Sequence, residues 1–299
     1  MTRPLRIQYC SDIHLEFYDK RDKGRVIMTQ FITPAAPYLA LCGDIGNPSR
    51  PAYRAFLAQC SAAFERVFVI PGNHEYYNYD QKGGAVYSMK EKNEQMRSAC
   101  AEFSNVEWLQ EHAVFLEKEG VWICGATLWN HVSVAQEKEA EETMNDYQTI
   151  LLENGKRWTA ADTRIEHAKH RGILQIWIDY VKENNQKIII LTHHLPSLRW
   201  IHPDFAKSKI NWCYASDCDA LLKAPVIGWL CGHTHRAQSF WLKGDAGEDI
   251  YCGINPWGYP FEDMKGTRSK TAVMEWPRAN PPTAHTLNDM SEEKNLIFV

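Results

Sequence analysis

The chain has 299 residues, 44% of them hydrophobic, with 33 Lys and Arg against 37 Asp and Glu and a formal net charge of −4. That balance describes a globular protein of one large domain and excludes broad electrostatic capture of nucleic acid, although a local basic groove is compatible with it. Nine scattered cysteines, an odd number without a C-x-x-C pair, argue against a disulfide framework and for a reducing, cytoplasmic compartment. The N-terminus lacks the apolar stretch of a signal peptide. No apolar run approaches the roughly 20 residues that span a bilayer.

Short apolar runs bounded by turn signals predict buried strands, and longer runs with helical spacing predict helices. In chain order, residues 5–10 read as a strand ending in Ser11-Asp12, and 38–42 as a strand ending in Gly43-Asp44. Residues 51–65 read as a helix, 67–70 as a strand ending in Pro71-Gly72-Asn73-His74, and 88–103 as a helix. A strand at 121–124 ends in Gly125. The charged segment 136–157 reads as a helix within a helical insertion at 131–170, placed to lie over the site. Residues 165–184 carry a helical apolar pattern through Ile165, Ala168, Ile173, Ile176, Trp177, Tyr180 and Val181. The strand at 187–191 runs into Thr192-His193-His194, and that at 226–231 into Gly232-His233-Thr234-His235. Late strands follow at 245–259 and 271–276. They complete a domain over 1–276, and 277–299 is an irregular tail, docked by Leu296, Ile297 and Phe298. The repeated event is a buried strand whose carboxyl end runs into polar residues. Such ends converge on one crevice in open sheets, and two packed sheets account for the number of strands.

Five of these strand ends carry metal-ligand residue types. Asp12 and His14 stand two apart, and on an extended strand they would share a side. They are either a ligand pair or exposed loop residues. Asp44 after Gly43 has two oxygens with which to bridge two cations, or is a common turn element. Asn73-His74-Glu75 offers a neutral oxygen and an imidazole, more than a polar turn needs. Of His193 and His194, one is a ligand candidate and the other a supporting group. His233 and His235 after Gly232 form the strongest local signal, able to reach one metal together or one each. Two cations ~3.5–4 Å apart can clamp a phosphate, activate water and stabilise a leaving oxygen. Mixed His, Asn and Asp donors suit manganese, iron or zinc better than calcium. No Walker-type phosphate loop is present.

The ordered set Asp-x-His, Gly-Asp, Gly-Asn-His-Glu, His and Gly-His-Thr-His, from Asp12 to His235, resembles the calcineurin-like metallophosphoesterase superfamily. The phrases at 11–16, 72–77 and 255–259 are similar to a branch of small microbial and viral members. The resemblance implies a four-layer αββα double β-sandwich flanked by helices. It implies a first metal held by Asp12, His14 and His235, a second held by Asn73, His193 and His233, and Asp44 bridging them. It further implies a metal-bridging hydroxide as nucleophile and His74 as the acid or phosphate-contacting residue, with Mn as the expected metal and Fe, Zn or Mg as alternatives. One departure is that Ile45, Gly46, Asn47 and Pro48 follow Asp44, where the protein-phosphatase members carry Gly-Asp-x-x-Asp. Glu75 is expected to orient a ligand.

The leading expectation is hydrolysis of a small phosphomonoester or phosphodiester, a nucleotide among the candidates. A nuclease is the alternative, with Arg199, Trp200, His202, Lys207 and Lys209 as its groove, and a non-catalytic interaction module is a third reading. Pocket specificity is expected from Tyr76, Trp129, Asn130, Arg157, Trp158, Arg199 and Trp200.

Overall fold

The structure is a computed structural model that describes residues 4–19, 27–78, 85–244, 247–262, 268–277 and 285–286. Its strands are β1 (Leu5–Cys10), β2 (Tyr38–Cys42), β3 (Arg66–Ile70), β4 (Val106–Trp108), β5 (His112–Leu116), β6 (Val121–Ala126), β7 (Lys187–Thr192), β8 (Val226–Cys231), β9 (Gln238–Lys243), β10 (Asp249–Ile254), β11 (Val273–Trp276) and β12 (His285–Thr286). The first sheet has the order β11-β1-β2-β3-β4 and the second β12-β9-β10-β8-β7-β6-β5. Strands β1 to β4 are mutually parallel, as are β6, β7, β8 and β10. Cys10 pairs with Leu41, and Leu41 with Val69. On the other sheet Leu191 pairs with Leu230 and Cys231 with Ile254. The carboxyl ends of these strands therefore finish side by side.

Alternation along the strands divides the apolar runs between two faces. Tyr38, Ala40 and Cys42 pack between the sheets with Ile189 and Leu191. Leu39 and Leu41 face outward onto Tyr53, Phe56 and Leu57 of α2 (Pro51–Ala63) and Met96 of α3 (Met89–Ala101), with α1 (Leu15–Asp19) preceding them in the chain. On the second sheet Ile188 and Ile190 face outward onto Leu174, Ile178 and Val181 of the long helix at Ala160–Glu183. Helix, sheet, sheet and helix thus form the four layers expected.

Some element boundaries differ from the sequence reading. The segment 136–157 is not one helix. It contains α4 (Glu137–Thr143) and α5 (Asp146–Thr149), broken at Met144, whose backbone is extended. The break turns Asp146 inward, where its carboxylate accepts from Asn73 and Tyr77. The long helix, α6, begins at Ala160 rather than Ile165, because Thr159 caps it reciprocally with Asp162. Its buried face runs through Thr163, His167, His170, Leu174, Ile178 and Val181, while Ile165 and Ile176 are 64% and 68% exposed. Half of that face is polar, so a pattern built from apolar residues alone points the helix the wrong way. Strands β4, β5 and β9, which the sequence reading passes over, are short or half-buried. Within the expected tail, β12 pairs with β9; Leu296, Ile297 and Phe298 lie outside the described residues.

His167 is buried, and its Nδ1 lies 3.1 Å from the Leu128 carbonyl oxygen. Burial lowers its pKa to about 4. The unfolded chain binds this proton below the ordinary value near 6.5, so the stability the neutral ring contributes is lost as pH falls from about 6.5 towards 4. The loss amounts to ~3 kcal/mol at most. We predict that His167→Gln shows a flatter dependence of thermal stability on pH over that window than the wild type. Superimposable pH profiles would contradict the assignment.

Candidate metal centre

The sequence places its ligand candidates just beyond the strand ends, and the backbone there leaves the extended conformation. Asp12, His14, Asp44, His233 and His235 have φ of 53°, 54°, 53°, 70° and 50°. The expectation that Asp12 and His14 share the side of an extended strand is therefore incorrect. β1 stops at Cys10, and left-handed residues turn both side chains inward. Such φ values cost non-glycine residues of order 1–3 kcal/mol each and persist only where the surroundings fix them. Here the loops fix one another. Asp12 N–H donates to the Gly43 carbonyl at 3.0 Å and His14 N–H to that of Asp44 at 2.9 Å, while Gly232 N–H donates to that of His193 at 3.0 Å. The Asp12 carboxylate accepts from His233 N–H at 3.0 Å.

Glu75 ties two loops together. Its buried carboxylate accepts the backbone N–H groups of Asp44, Ile45, Gly46 and Gly72 at 2.9, 2.7, 3.2 and 2.7 Å. It therefore orients Asp44 through the main chain rather than by touching a ligand side chain. Two glycines allow the close approach this demands. A Cβ on Gly72 would sit 2.1 Å from Asp44 Oδ1, and one on Gly43, at φ +84°, would sit 2.5 Å from His193 Nδ1.

The seven expected ligands form two adjoining groups. In the first, His14 Nε2 lies 3.1 Å from His235 Nε2, which lies 3.3 Å from Asp12 Oδ1. In the second, His193 Nε2 lies 3.1 Å from both Asn73 Oδ1 and His233 Nδ1. Asp44 stands between them, with Oδ2 3.4 Å from His193 Nε2 and 3.9 Å from His14 Nε2.

The outward atoms of these rings determine what the inward atoms can be. His14 Nδ1 faces Glu16 at 3.2 Å, His235 Nδ1 faces Glu262 at 2.7 Å, and His193 Nδ1 faces the Cys42 carbonyl at 2.9 Å. These acceptors demand a proton on each Nδ1, which leaves each neutral ring a lone pair on Nε2. Asn73 is oriented likewise, because its NH₂ donates to Asp146 at 2.9 Å and to Tyr77 at 2.8 Å, turning Oδ1 inward. The inward atoms are thus acceptors facing acceptors at about hydrogen-bond distance, and only cations satisfy such a set. Without a metal, protons take part of that role. Burial disfavours a charged His193, yet Asp44 raises it to about 9, and Asp12 and Glu262 raise His235 to about 10 against the same burial. Burial and the neighbouring His194 and His193 hold His233 well below the usual value, so it stays a neutral donor ring. Nitrogen and oxygen donors in this proportion fit borderline divalent metals.

His74 sits beside both groups. Its Nδ1 is 3.1 Å from Glu16 Oε1, its Nε2 is 2.9 Å from the Tyr259 hydroxyl, and its N–H donates to Asp44 Oδ1 at 2.8 Å. Both ring nitrogens face protein partners, which sets it apart from the ligands. His194 is buried against His233 and Trp129 and faces the Thr127 carbonyl.

A cavity of about 520 Å³ opens over Asp44, Asn73, His74, His233 and His235. The expected specificity residues do not line it. Trp129 is buried against Tyr76, Trp158 and His194, Asn130 donates to the Trp212 carbonyl, and Arg157 donates to Gln148 at the surface. Of the suggested nuclease groove, Trp200 is buried and Arg199 pairs with Asp219 at 3.3 Å. His202 faces Asp204, and neither Lys207 nor Lys209 borders the cavity. The walls come instead from Met144, Ile201, Phe205, Ile210, Tyr214 and Arg236. Sequence reasoning missed Glu16, Asp146, Tyr259 and Glu262 as supports of the centre. Glu16 and Tyr259 lie within the phrases at 11–16 and 255–259, whereas Asp146 and Glu262 reach the centre from segments without a distinguishing pattern.

The model of the calcineurin-like phosphoesterase family matches residues 5–237, a span that contains all seven ligand candidates. An uncharacterised protein of Acanthamoeba polyphaga mimivirus is 29% identical over 267 residues, covering 86% of this chain and 92% of that one. Among solved structures, the phosphopantetheinyl hydrolase of Mycobacterium tuberculosis shares the fold, with a TM-score of 0.65 at 16% identity over 93% of this chain and 98% of that one. A dimetal phosphatase of Danio rerio has a TM-score of 0.49 at 13% identity over 84% of this chain and 87% of its own. With the ordered motifs, the fold and the match over most of its length in agreement, the chain belongs to the calcineurin-like phosphoesterase family and is a metal-dependent phosphoesterase.

Proposed function

We propose that the protein hydrolyses a small phosphomonoester or phosphodiester with two divalent cations. Asp12, His14 and His235 hold the first, Asn73, His193 and His233 the second, and Asp44 bridges them. The observation that carries this reading is the position of Asp44 Oδ2 between His193 and His14, the inward rings of the two groups. Bound there, the cations supply Lewis acidity and a water acidic enough to attack near neutral pH. The donor set favours manganese, with iron, zinc or magnesium as alternatives.

The remaining chemistry falls to the chain's own residues. Glu16 faces Nδ1 of both His14 and His74 with one oxygen, so a metal ligand and the acid candidate share a carboxylate. That carboxylate favours a ring on His74 that carries both protons. His74 borders the cavity and is placed to contact a phosphoryl oxygen or donate a proton to the leaving group. The enclosing volume of about 520 Å³ is the size that buries a small organic molecule, which supports a small phosphorylated substrate over a polymer. All nine cysteines are unpaired and buried, and among the described residues no helix is long and apolar enough to cross a membrane. We place the enzyme in the cytoplasm on the cysteine chemistry.

Aryl phosphate mono- and diesters, assayed with Mn, Mg, Zn and Fe in turn, test the activity. Turnover with at least one metal is expected, and metal-loaded protein inert towards every ester would contradict the proposal. Asp44→Asn should bring turnover below detection. His74→Asn should lower kcat by ~10²–10⁴-fold with metal content retained, and an emptied site in that variant would show His74 to be a ligand. Because Asp146 turns the Asn73 amide, Asp146→Ala should cost ~10–100-fold in metal affinity or activity, measured by metal titration beside turnover. An unaltered metal isotherm and rate would remove Asp146 from the centre.

A further inference from the structure

The cavity over the metal centre has an uneven wall. Ile201, Phe205, Ile210 and Tyr214 give it an apolar and aromatic side. Arg236 immediately follows the ligand His235 and borders the same space. It is the sole Lys or Arg among the described residues of that lining. Its Nε donates to Asp204 Oδ2 at 3.2 Å, one terminal nitrogen donates to the His235 carbonyl at 3.0 Å, and the guanidinium carbon lies 5.0 Å from the Phe205 ring centre.

These contacts fix the guanidinium plane without consuming it. A guanidinium has five N–H groups in a rigid fork, and the two contacts use two of them. Asp204 is exposed, its side chain at 58%, so this pair is solvent-screened and weak. The three other N–H groups are available for a second, charge-assisted partner at the cavity. Cations held by these ligands would supply the counter-charge for the phosphoryl group that is cut, so a guanidinium one residue further along the chain is suited to a different anionic group of the same molecule.

We propose that the physiological substrate carries a second anionic group, a phosphate or carboxylate beyond the phosphoryl group that is cut. Arg236 pairs with that group, and an apolar or aromatic portion lies on Phe205, Ile210 and Tyr214. The proposal rests on the phosphoesterase reading and adds the substrate class to it. In the probe reaction with ADP, water oxygen bonds to the terminal phosphorus and the bond from that phosphorus to the bridging oxygen breaks. AMP leaves with the bridging oxygen, and one proton from the water is released or carried by the products.

The test compares ADP, which carries a second anionic group beyond the phosphoryl group that is cut, with 4-nitrophenyl phosphate, which as a substrate carries none. In the Mn-loaded wild type, kcat/KM should be at least ~10-fold higher for ADP. Arg236→Ala should collapse that preference, chiefly through KM for ADP, and Arg236→Lys should restore part of it. Calorimetric binding of α,β-methylene-ADP, which resists cleavage, to the Mn-loaded protein should weaken by ~10–100-fold in Arg236→Ala, a readout independent of turnover. Equal efficiency on both probes in the wild type, or a preference and affinity for ADP that survive Arg236→Ala, would overturn the proposal while leaving phosphoesterase activity standing. Inertness towards both probes and the simple aryl esters would instead remove the underlying reading.

Discussion

The structure turns on a set of imidazole nitrogens and carboxylate and amide oxygens crowded into one buried volume. Lone pairs on His14, His193, His233 and His235 share one small volume with oxygens of Asp12, Asp44 and Asn73. Like-signed atoms at these spacings in a buried site repel, and the chain pays for that arrangement through the packing that surrounds it. The result is a set of candidate ligands whose ring and amide orientations are fixed in advance, and a cation that binds there displaces the protons that His193 and His235 hold near neutral pH.

The fold meets this cost in layers. Parallel strands with registered carboxyl ends bring loops from both sheets to one place. Left-handed residues then turn the side chains inward over one or two positions, where a longer loop would leave them mobile. Interloop backbone bonds and the four N–H groups gathered by Glu75 hold those conformations. Carboxylates at the outer edge, on Glu16, Asp146 and Glu262, fix the rings and the amide from behind. Strain at the ligands is thus balanced by hydrogen bonds on groups that never meet a metal. The Asn73 amide, for example, points inward because a helix broken at Met144 delivers Asp146 to its other side.

Much of this was legible in the sequence. The apolar runs of β1, β2, β3, β7 and β8 are buried on both faces, which made them visible without periodicity, and their polar endings marked the ligand candidates that the structure brings together. What stayed hidden has specific physical causes. The face of α6 was misread because His167 and His170 occupy positions that a hydrophobic pattern assigns to solvent, and each ring meets a partner distant in sequence. The convergence of Asp12 and His14 was foreseen but for the wrong reason, since a positive φ on Asp or His leaves no compositional trace. The cavity wall was sought among tryptophans and arginines near the motifs. Bulk favoured burial for Trp129 and Trp200, and the segment 201–214, made of short turns with ordinary composition, forms the wall instead.

The central claim is that Asp44 joins two cations in one centre, and metal stoichiometry tests it most directly. Metal-stripped protein titrated with Mn²⁺, then assayed for bound metal after gel filtration, should retain two equivalents per chain. Anomalous scattering from crystals of that material should place both ions within bonding distance of the Asp44 carboxylate. A single retained equivalent, or a second ion bound away from Asp44, would contradict the account.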